Sequence, residues 1–218
     1  MSEKVKWIKT GQRGARAEFT DCDILTALFL ISDEPMGRYK LQNELYLSES
    51  STKSLLNYCK SKNLLTTSAG RVGHSLTNEG KKIMDIIQDA LLDHGEFSYP
   101  AFDNMYHYFV SVRKDKSIDK NPTWKIRDIA VAYGAEAILF LEITNDLSVK
   151  FPESEIQLLN YYPDLEAKLE NLLNEPLQKN SKLLIVAAKN IALARKSAFI
   201  TAIYTQTNSK TELLKLFE

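Results

Sequence analysis

The chain has 218 residues, of which 44% are hydrophobic and 26% charged, so it contains enough apolar material for one or two globular domains. Its 28 basic and 28 acidic residues give zero net charge, which excludes a protein drawn to nucleic acid or to an anionic membrane by its overall field. Any site for a polyanion must therefore be local.

The N-terminal part of the chain predicts a basic arm followed by three helices. Residues 1–20 carry more basic than acidic side chains and two glycines, which indicates a flexible arm. A first helix begins at Thr20 or Asp21, and its apolar face consists of Ile24, Leu25, Leu28, Phe29 and Ile31. A short second helix covers residues 38–45, and Ser48 is a good N-cap for the third.

The third helix has two contrasting faces. One is an apolar stripe formed by Thr52, Leu55, Leu56 and Cys59, and the opposite face carries Ser50, Lys53, Ser54, Asn57 and Lys60. Asn63 is typical of a left-handed residue at a helix end. Residues 64–67 and 74–76 then predict two strands around a glycine-containing loop, and Thr77 caps a fourth helix that should end near His94 and Gly95.

This order of elements predicts a winged helix-turn-helix domain over residues 21–95, with the hairpin loop as the wing. No acidic residue lies between Glu49 and Glu79, an interval that contains Lys53, Lys60, Lys62, Arg71 and His74. Small polar side chains beside lysine suit a helix that enters a DNA major groove about 12 Å wide. A solvated helix face and a protein-interaction module are the alternatives.

The DNA-contact hypothesis assigns a place to each residue of this surface. Lys53, Ser54 and Asn57 are expected at base edges, and Ser50 and Lys60 nearer the DNA backbone. In the wing, Arg71 is expected to reach phosphate or the minor groove, and His74 is also expected to contact the DNA. One winged helix contacts only a few base pairs, so the hypothesis includes double-stranded DNA and a homodimer as partners.

Residues 96–218 predict a second, α/β domain, and the whole chain therefore belongs to the α+β class. The expected elements are strands over 106–112, 137–143, 147–151 and 182–188, and helices over 123–133, 153–173 (interrupted at Pro163) and 190–206. A βαββαβ order with an extra helix is ferredoxin-like, with strand 137–143 in a central position because it lacks polar alternation. Three-layer α/β arrangements are the alternative.

Two segments resemble a known family. Residues 73–80 have the pattern Gly-His-x-Leu-Thr-x-x-Gly and, together with residues 36–41 and 47–52, look like archaeal winged-helix transcriptional regulators. Residues 126–137 resemble a motif in the C-terminal domain of one such family, where an Arg-Asp-x-Ala helix ends in Gly-Ala before a strand. That family usually has a second glycine where this chain has Glu136, so the resemblance does not imply a phosphate-binding loop.

The second domain shows no pattern of a catalytic site. It has no Walker-type loop, HExxH or GxSxG motif. Arg127 and Asp128 point about 100° apart on a helix, so they do not converge on one proton. We expect no enzyme activity, and a domain that senses a small-molecule effector, forms the dimer through helix 4 or helix 190–206, or does both. Arg127, Asp128 and Gly134 are the effector-binding candidates, and a small-molecule enzyme regulated by the winged helix is the alternative.

Cysteine and histidine usage indicates neither a disulfide nor a metal site. Cys22 and Cys59 lie on apolar helical faces, there is no CxxC, and the three histidines have no metal-ligand spacing. The N-terminus has no signal-peptide core, and no apolar run approaches the roughly 20 residues of a membrane span. We expect a cytoplasmic protein with buried thiols that requires no cofactor.

Overall fold

The structure, a computed structural model, describes residues 19–68, 73–99, 105–113, 122–152, 154, 156–172 and 181–206. The chain is mixed α and β and divides into two compact units. The described part of the first unit ends at Gln88, and the second begins at Asp89. The predicted basic arm, up to residue 18, lies outside the described residues.

The N-terminal unit has the predicted order of elements. Its helices and strands are α1 (Asp21–Asp33), α2 (Arg38–Leu45), α3 (Glu49–Ser61), β1 (Leu65–Thr67), β2 (His74–Leu76) and α4 (Asn78–Ala90). Thr20 starts α1 with a capping box, because its side chain accepts from the Asp23 N–H while the Asp23 carboxylate accepts from the Thr20 N–H at 2.7 Å. The expected apolar face of α1 is buried.

The hairpin is attached to the connection between α1 and α2. β1 and β2 pair antiparallel from Leu65 opposite Leu76 to Thr67 opposite His74. The backbones of His74 and Met36 exchange two hydrogen bonds, of 3.0 and 2.9 Å. Met36 therefore adds a third backbone segment beside the two strands.

Two glycines of the 73–80 pattern stand where no side chain fits. Gly73 has a φ of +117°, and a Cβ there would lie 2.5 Å from the carbonyl carbon and oxygen of Met36. Gly80 lies in the first turn of α4, and a Cβ there would lie 2.3 Å from the carbonyl oxygen of Leu64. Thr77 caps α4 as predicted, because its hydroxyl accepts from the Gly80 N–H at 3.1 Å. Close packing therefore explains why glycine occupies both positions of this pattern.

The C-terminal unit is a five-stranded antiparallel sheet with helices on both faces. Its elements are β3 (Leu91–Phe97), β4 (Tyr106–Arg113), α5 (Thr123–Ala132), β5 (Ala137–Ile143), β6 (Val149–Lys150), a 3₁₀ turn (Leu158–Asn160), α6 (Pro163–Leu172), β7 (Ser181–Ala188) and α7 (Ile191–Thr205). The strand order is β3-β4-β7-β5-β6. One core cluster packs α6 and the 3₁₀ turn on one face, and another packs α5 and α7 on the other. This is the three-layer alternative.

The ferredoxin-like prediction is wrong in its strand order. In a ferredoxin-like sheet the third strand of the βαββαβ series lies between the first two, but here the third strand, β6, has two residues and pairs at the edge. The last strand, β7, takes the position between β4 and β5. β7 is therefore central and buried at all eight positions, whereas the expected central strand, β5, lies beside the edge.

Two predicted helix boundaries are also wrong. Helix 4 ends at Ala90 rather than near His94, because residues 91–97 form β3 and pair with β4 from Phe97 opposite His107 to Leu91 opposite Val112. The predicted helix over 153–173 begins only at Pro163, whose fixed φ suits the first helical turn. No helix among the described residues is long and apolar enough to cross a membrane.

Candidate nucleic-acid interface

The candidate interface is the outward face of α3, and its form follows from how the helix is held. The Ser48 hydroxyl accepts from the Ser51 N–H at 3.1 Å and so starts the helix as predicted. The predicted stripe of Thr52, Leu55, Leu56 and Cys59 is buried. Asn63, with a φ of 55°, ends the segment in the left-handed conformation.

All five predicted contact residues of α3 lie on one exposed face. These are Ser50, Lys53, Ser54, Asn57 and Lys60. Burial of the apolar stripe fixes the rotation of the helix about its axis, so these side chains point away from the core together. The surface is polar and carries positive charge at two positions about two turns apart.

The positive charge on this face is not neutralised by neighbouring carboxylates. Among the described residues, Lys53, Lys60 and Lys62 form no ion pair. The acidic residue of the first turn, Glu49, is held by Arg38 of α2, with 3.0 Å between guanidinium nitrogen and carboxylate oxygen. Three lysine charges therefore remain open to an anionic partner.

His74 and Arg71, the two predicted contacts in the hairpin, have different outcomes. His74 is half-buried in β2, and its Nδ1 atom is enclosed with no hydrogen-bond partner among the described residues. Burial, and secondarily the charge of Lys60, lowers the pKa of the His74 imidazole below its ordinary value of 6.5. His74 is therefore neutral at pH 7 and adds no positive charge. Arg71 lies outside the described residues.

Two residues that the sequence analysis did not select are also exposed in this unit. Lys62 follows α3 directly and is exposed. Tyr39 of α2 is exposed, and its ring lies under the Arg38 guanidinium at 4.9 Å. The position of Lys62 in the acid-free interval was enough to predict it as a further positive charge. The sequence of the short helix α2 did not indicate that Tyr39 is exposed.

The three effector-binding candidates do not form a pocket. Arg127 and Asp128 both lie on the exposed side of α5 and pair with each other at 3.6 Å. Gly134, with a φ of +107°, ends the α5 segment as predicted, and a Cβ there would lie 3.0 Å from the Leu193 side chain. Its role is the turn itself, so these residues do not identify a ligand site.

Both cysteines are buried, as predicted, and neither takes part in a disulfide. Burial raises the pKa of the Cys59 thiol to about 12, so this sulfur stays protonated at neutral pH. The Cys59 side chain packs in the core on the buried face of α3.

Comparisons with known proteins match each unit separately. Residues 20–82 match the model of the PH0730-like N-terminal domain, and residues 104–205 match a domain of unknown function, DUF4443. The chain is similar to the solved structure of hypothetical protein PH0730 from Pyrococcus horikoshii OT3, with 26% identity, a TM-score of 0.70, and coverage of 91% of this chain and 100% of that one. No curated protein matches the chain. The similarity is to an archaeal protein, as expected, while the regulator function remains a prediction.

Proposed function

We propose that the chain is a DNA-binding transcriptional regulator whose N-terminal unit is a winged helix-turn-helix domain. In this proposal α3 lies in the major groove, and the β1–β2 hairpin is the wing that contacts the sugar-phosphate backbone. The C-terminal unit senses an effector or forms the dimer. The observation that carries the proposal is the exposed face of α3, which presents Ser50, Lys53, Ser54, Asn57 and Lys60 together and whose acidic neighbour, Glu49, is paired with Arg38.

The dimensions and chemistry of α3 support an approach to duplex DNA. An α-helix with its side chains is about 10–12 Å across and the major groove is about 12 Å wide. Serine hydroxyls and the Asn57 amide are short enough to let the helix enter, and amide and hydroxyl groups can bond to base edges. Lys53 and Lys60 supply charge for phosphates.

The attachment of the hairpin also supports the proposal. A wing must hold a fixed position relative to the recognition helix to reach the DNA backbone at the same time. The two hydrogen bonds between Met36 and His74 hold the hairpin against the α1–α2 connection, and only residues 62–64 separate the end of α3 from β1 within this unit. Because His74 is neutral, the charged contact of the wing is assigned to Arg71.

The test is fluorescence-anisotropy binding of the full chain to duplex DNA from its own upstream region, titrated with salt and with scrambled competitor. Salt-dependent binding with a preference for the upstream duplex is expected. Each lost phosphate contact lowers the log–log salt slope by about 0.9, so Lys53→Ala should weaken binding and flatten that slope if Lys53 contacts phosphate, or weaken sequence preference if it contacts a base.

Lys189→Ala is the matched control, since Lys189 is an exposed lysine of the C-terminal unit with no assigned DNA contact. It should leave affinity and slope unchanged. Absence of binding at low salt, or equal effects of the Lys53 and Lys189 substitutions, would overturn the docking model and favour a protein-interaction role for the N-terminal unit.

A further inference from the structure

Helix α5 exposes an apolar stripe of two side chains. Ile126 and Ala130 face the core, while Trp124 is 61% and Val131 is 52% exposed. Trp124 and Val131 are seven residues apart and lie on one line along the helix. Two exposed apolar side chains in line on one helix are a candidate contact for a partner, because removing apolar surface from water is favourable.

The stripe is flanked by opposite charges. At about 100° per residue, Arg127 lies about 60° to one side of Trp124 and Asp128 about 40° to the other. Both side chains are largely exposed, and their charged ends lie 3.6 Å apart. The remaining cation of the helix, Lys125, is turned to the Tyr204 ring at 5.8 Å and takes no part.

We infer that the α5 face binds a second copy of this chain in a parallel, two-fold symmetric pair of helices. In that arrangement Trp124 meets the partner's Trp124, Val131 meets the partner's Val131, and Arg127 of each copy faces Asp128 of the other. An antiparallel pair would bring like charges together, because a two-fold axis perpendicular to both helices keeps each flank on its own side. The charge order is therefore self-complementary in a parallel pair of copies of this chain and not in an antiparallel pair.

The size of the face predicts a weak dimer. The ten residues of α5 span about 15 Å, and one buried tryptophan contributes roughly 150–250 Å², which is well below the roughly 800 Å² per partner of a stable interface. Self-association is thus expected only at high concentration, or when two copies bind one DNA. The inference rests on the proposed function, which gives the C-terminal unit a role in dimerisation.

Sedimentation velocity of the full chain without DNA tests the surface, over concentrations from low micromolar to several hundred micromolar. The wild type should shift from monomer towards dimer as concentration rises. Trp124→Ala should weaken association by about tenfold or more. Tyr161→Ala is the matched control, because Tyr161 is 62% exposed in the same unit but not on α5, and it should behave as the wild type.

A charge exchange tests whether the charges of Arg127 and Asp128 in one copy face those of the other copy. Arg127→Asp and Asp128→Arg should each remain monomeric, because each places like charges opposite one another. An equal mixture of the two variants should dimerise again, since each copy then carries two charges opposite to those of its partner. The ion pair within one helix cannot produce this rescue. A wild type that is monomeric throughout, a dimer unaffected by Trp124→Ala, or a mixture that stays monomeric would overturn the inference.

The outcome is separable from the proposed function. If the chain binds DNA in a salt-sensitive way but the α5 variants associate like the wild type, only the dimer surface is refuted. If the chain associates through α5 but does not bind DNA, the regulator proposal is refuted and the α5 dimer surface stands.

Discussion

Gly80→Ala should destabilise the N-terminal unit even though alanine is the better helix former. On propensity alone, replacing glycine inside a helix gains about 1 kcal/mol. Here the new methyl group would lie 2.3 Å from the Leu64 carbonyl oxygen, closer than real Cβ atoms approach any heavy atom. Overpacking of this kind costs about 1–3 kcal/mol.

The displaced carbonyl has a second cost. The oxygen of Leu64 accepts from the Thr77 N–H at 3.0 Å, and this bond joins the end of α3 to the start of α4. Weakening it adds about 1–3 kcal/mol if the groups are left unsatisfied. After the propensity gain is subtracted, the net loss in the free energy of unfolding is about 3 kcal/mol.

Urea unfolding followed by circular dichroism measures this loss, and hydrogen exchange read by mass spectrometry locates it in residues 49–88. Gly37→Ala is the control, since a Cβ at Gly37 meets no atom within 4 Å and should change stability by only about 0.5 kcal/mol in either direction. If Gly80→Ala unfolds at the same or a higher urea concentration than the wild type, the close approach of α4 to Leu64 is wrong.

Two further predictions concern α1 and α3. Thr20→Ala removes the capping box of α1 and should cost about 1 kcal/mol, seen as a lower urea midpoint; an unchanged midpoint would mean that the cap contributes nothing. Because burial raises the pKa of the Cys59 thiol from 9.0 to about 12, its contribution to stability is complete below pH 9 and is lost as the pH rises towards 12. A thiol reagent at pH 8 should therefore label Cys59 only when urea unfolds the chain, and rapid labelling of the native protein would contradict its burial.

The parts of the fold that depend on local pattern were predictable. The apolar stripe of α3 repeats with helical period, so the residues on its opposite face could be named from the sequence. Ser48, Asn63 and Thr77 could be placed because caps and left-handed positions favour particular residue types. For the candidate interface this was enough to select the exposed face of α3, but not to predict the lowered pKa of His74, which depends on its burial.

The parts that depend on distant pairing were not predictable. Leu91 and Leu92 continue the apolar pattern of α4, and only hydrogen bonding to β4 makes this segment a strand. The position of β7 between β4 and β5 is likewise a choice among partners far apart in the chain, which no local periodicity encodes. The predicted strand order was wrong for this reason.

The central position of the last strand also determines when each unit can fold during synthesis. Because β7 pairs with both β4 and β5, the five-stranded sheet cannot form until residue 188 has left the ribosome. The described elements of the N-terminal unit lie earlier in the chain and can assemble first. A nascent chain stalled before residue 181 is expected to contain a protease-resistant N-terminal part followed by a digestible remainder. The candidate DNA-binding surface would then exist on the ribosome before the chain has its sheet.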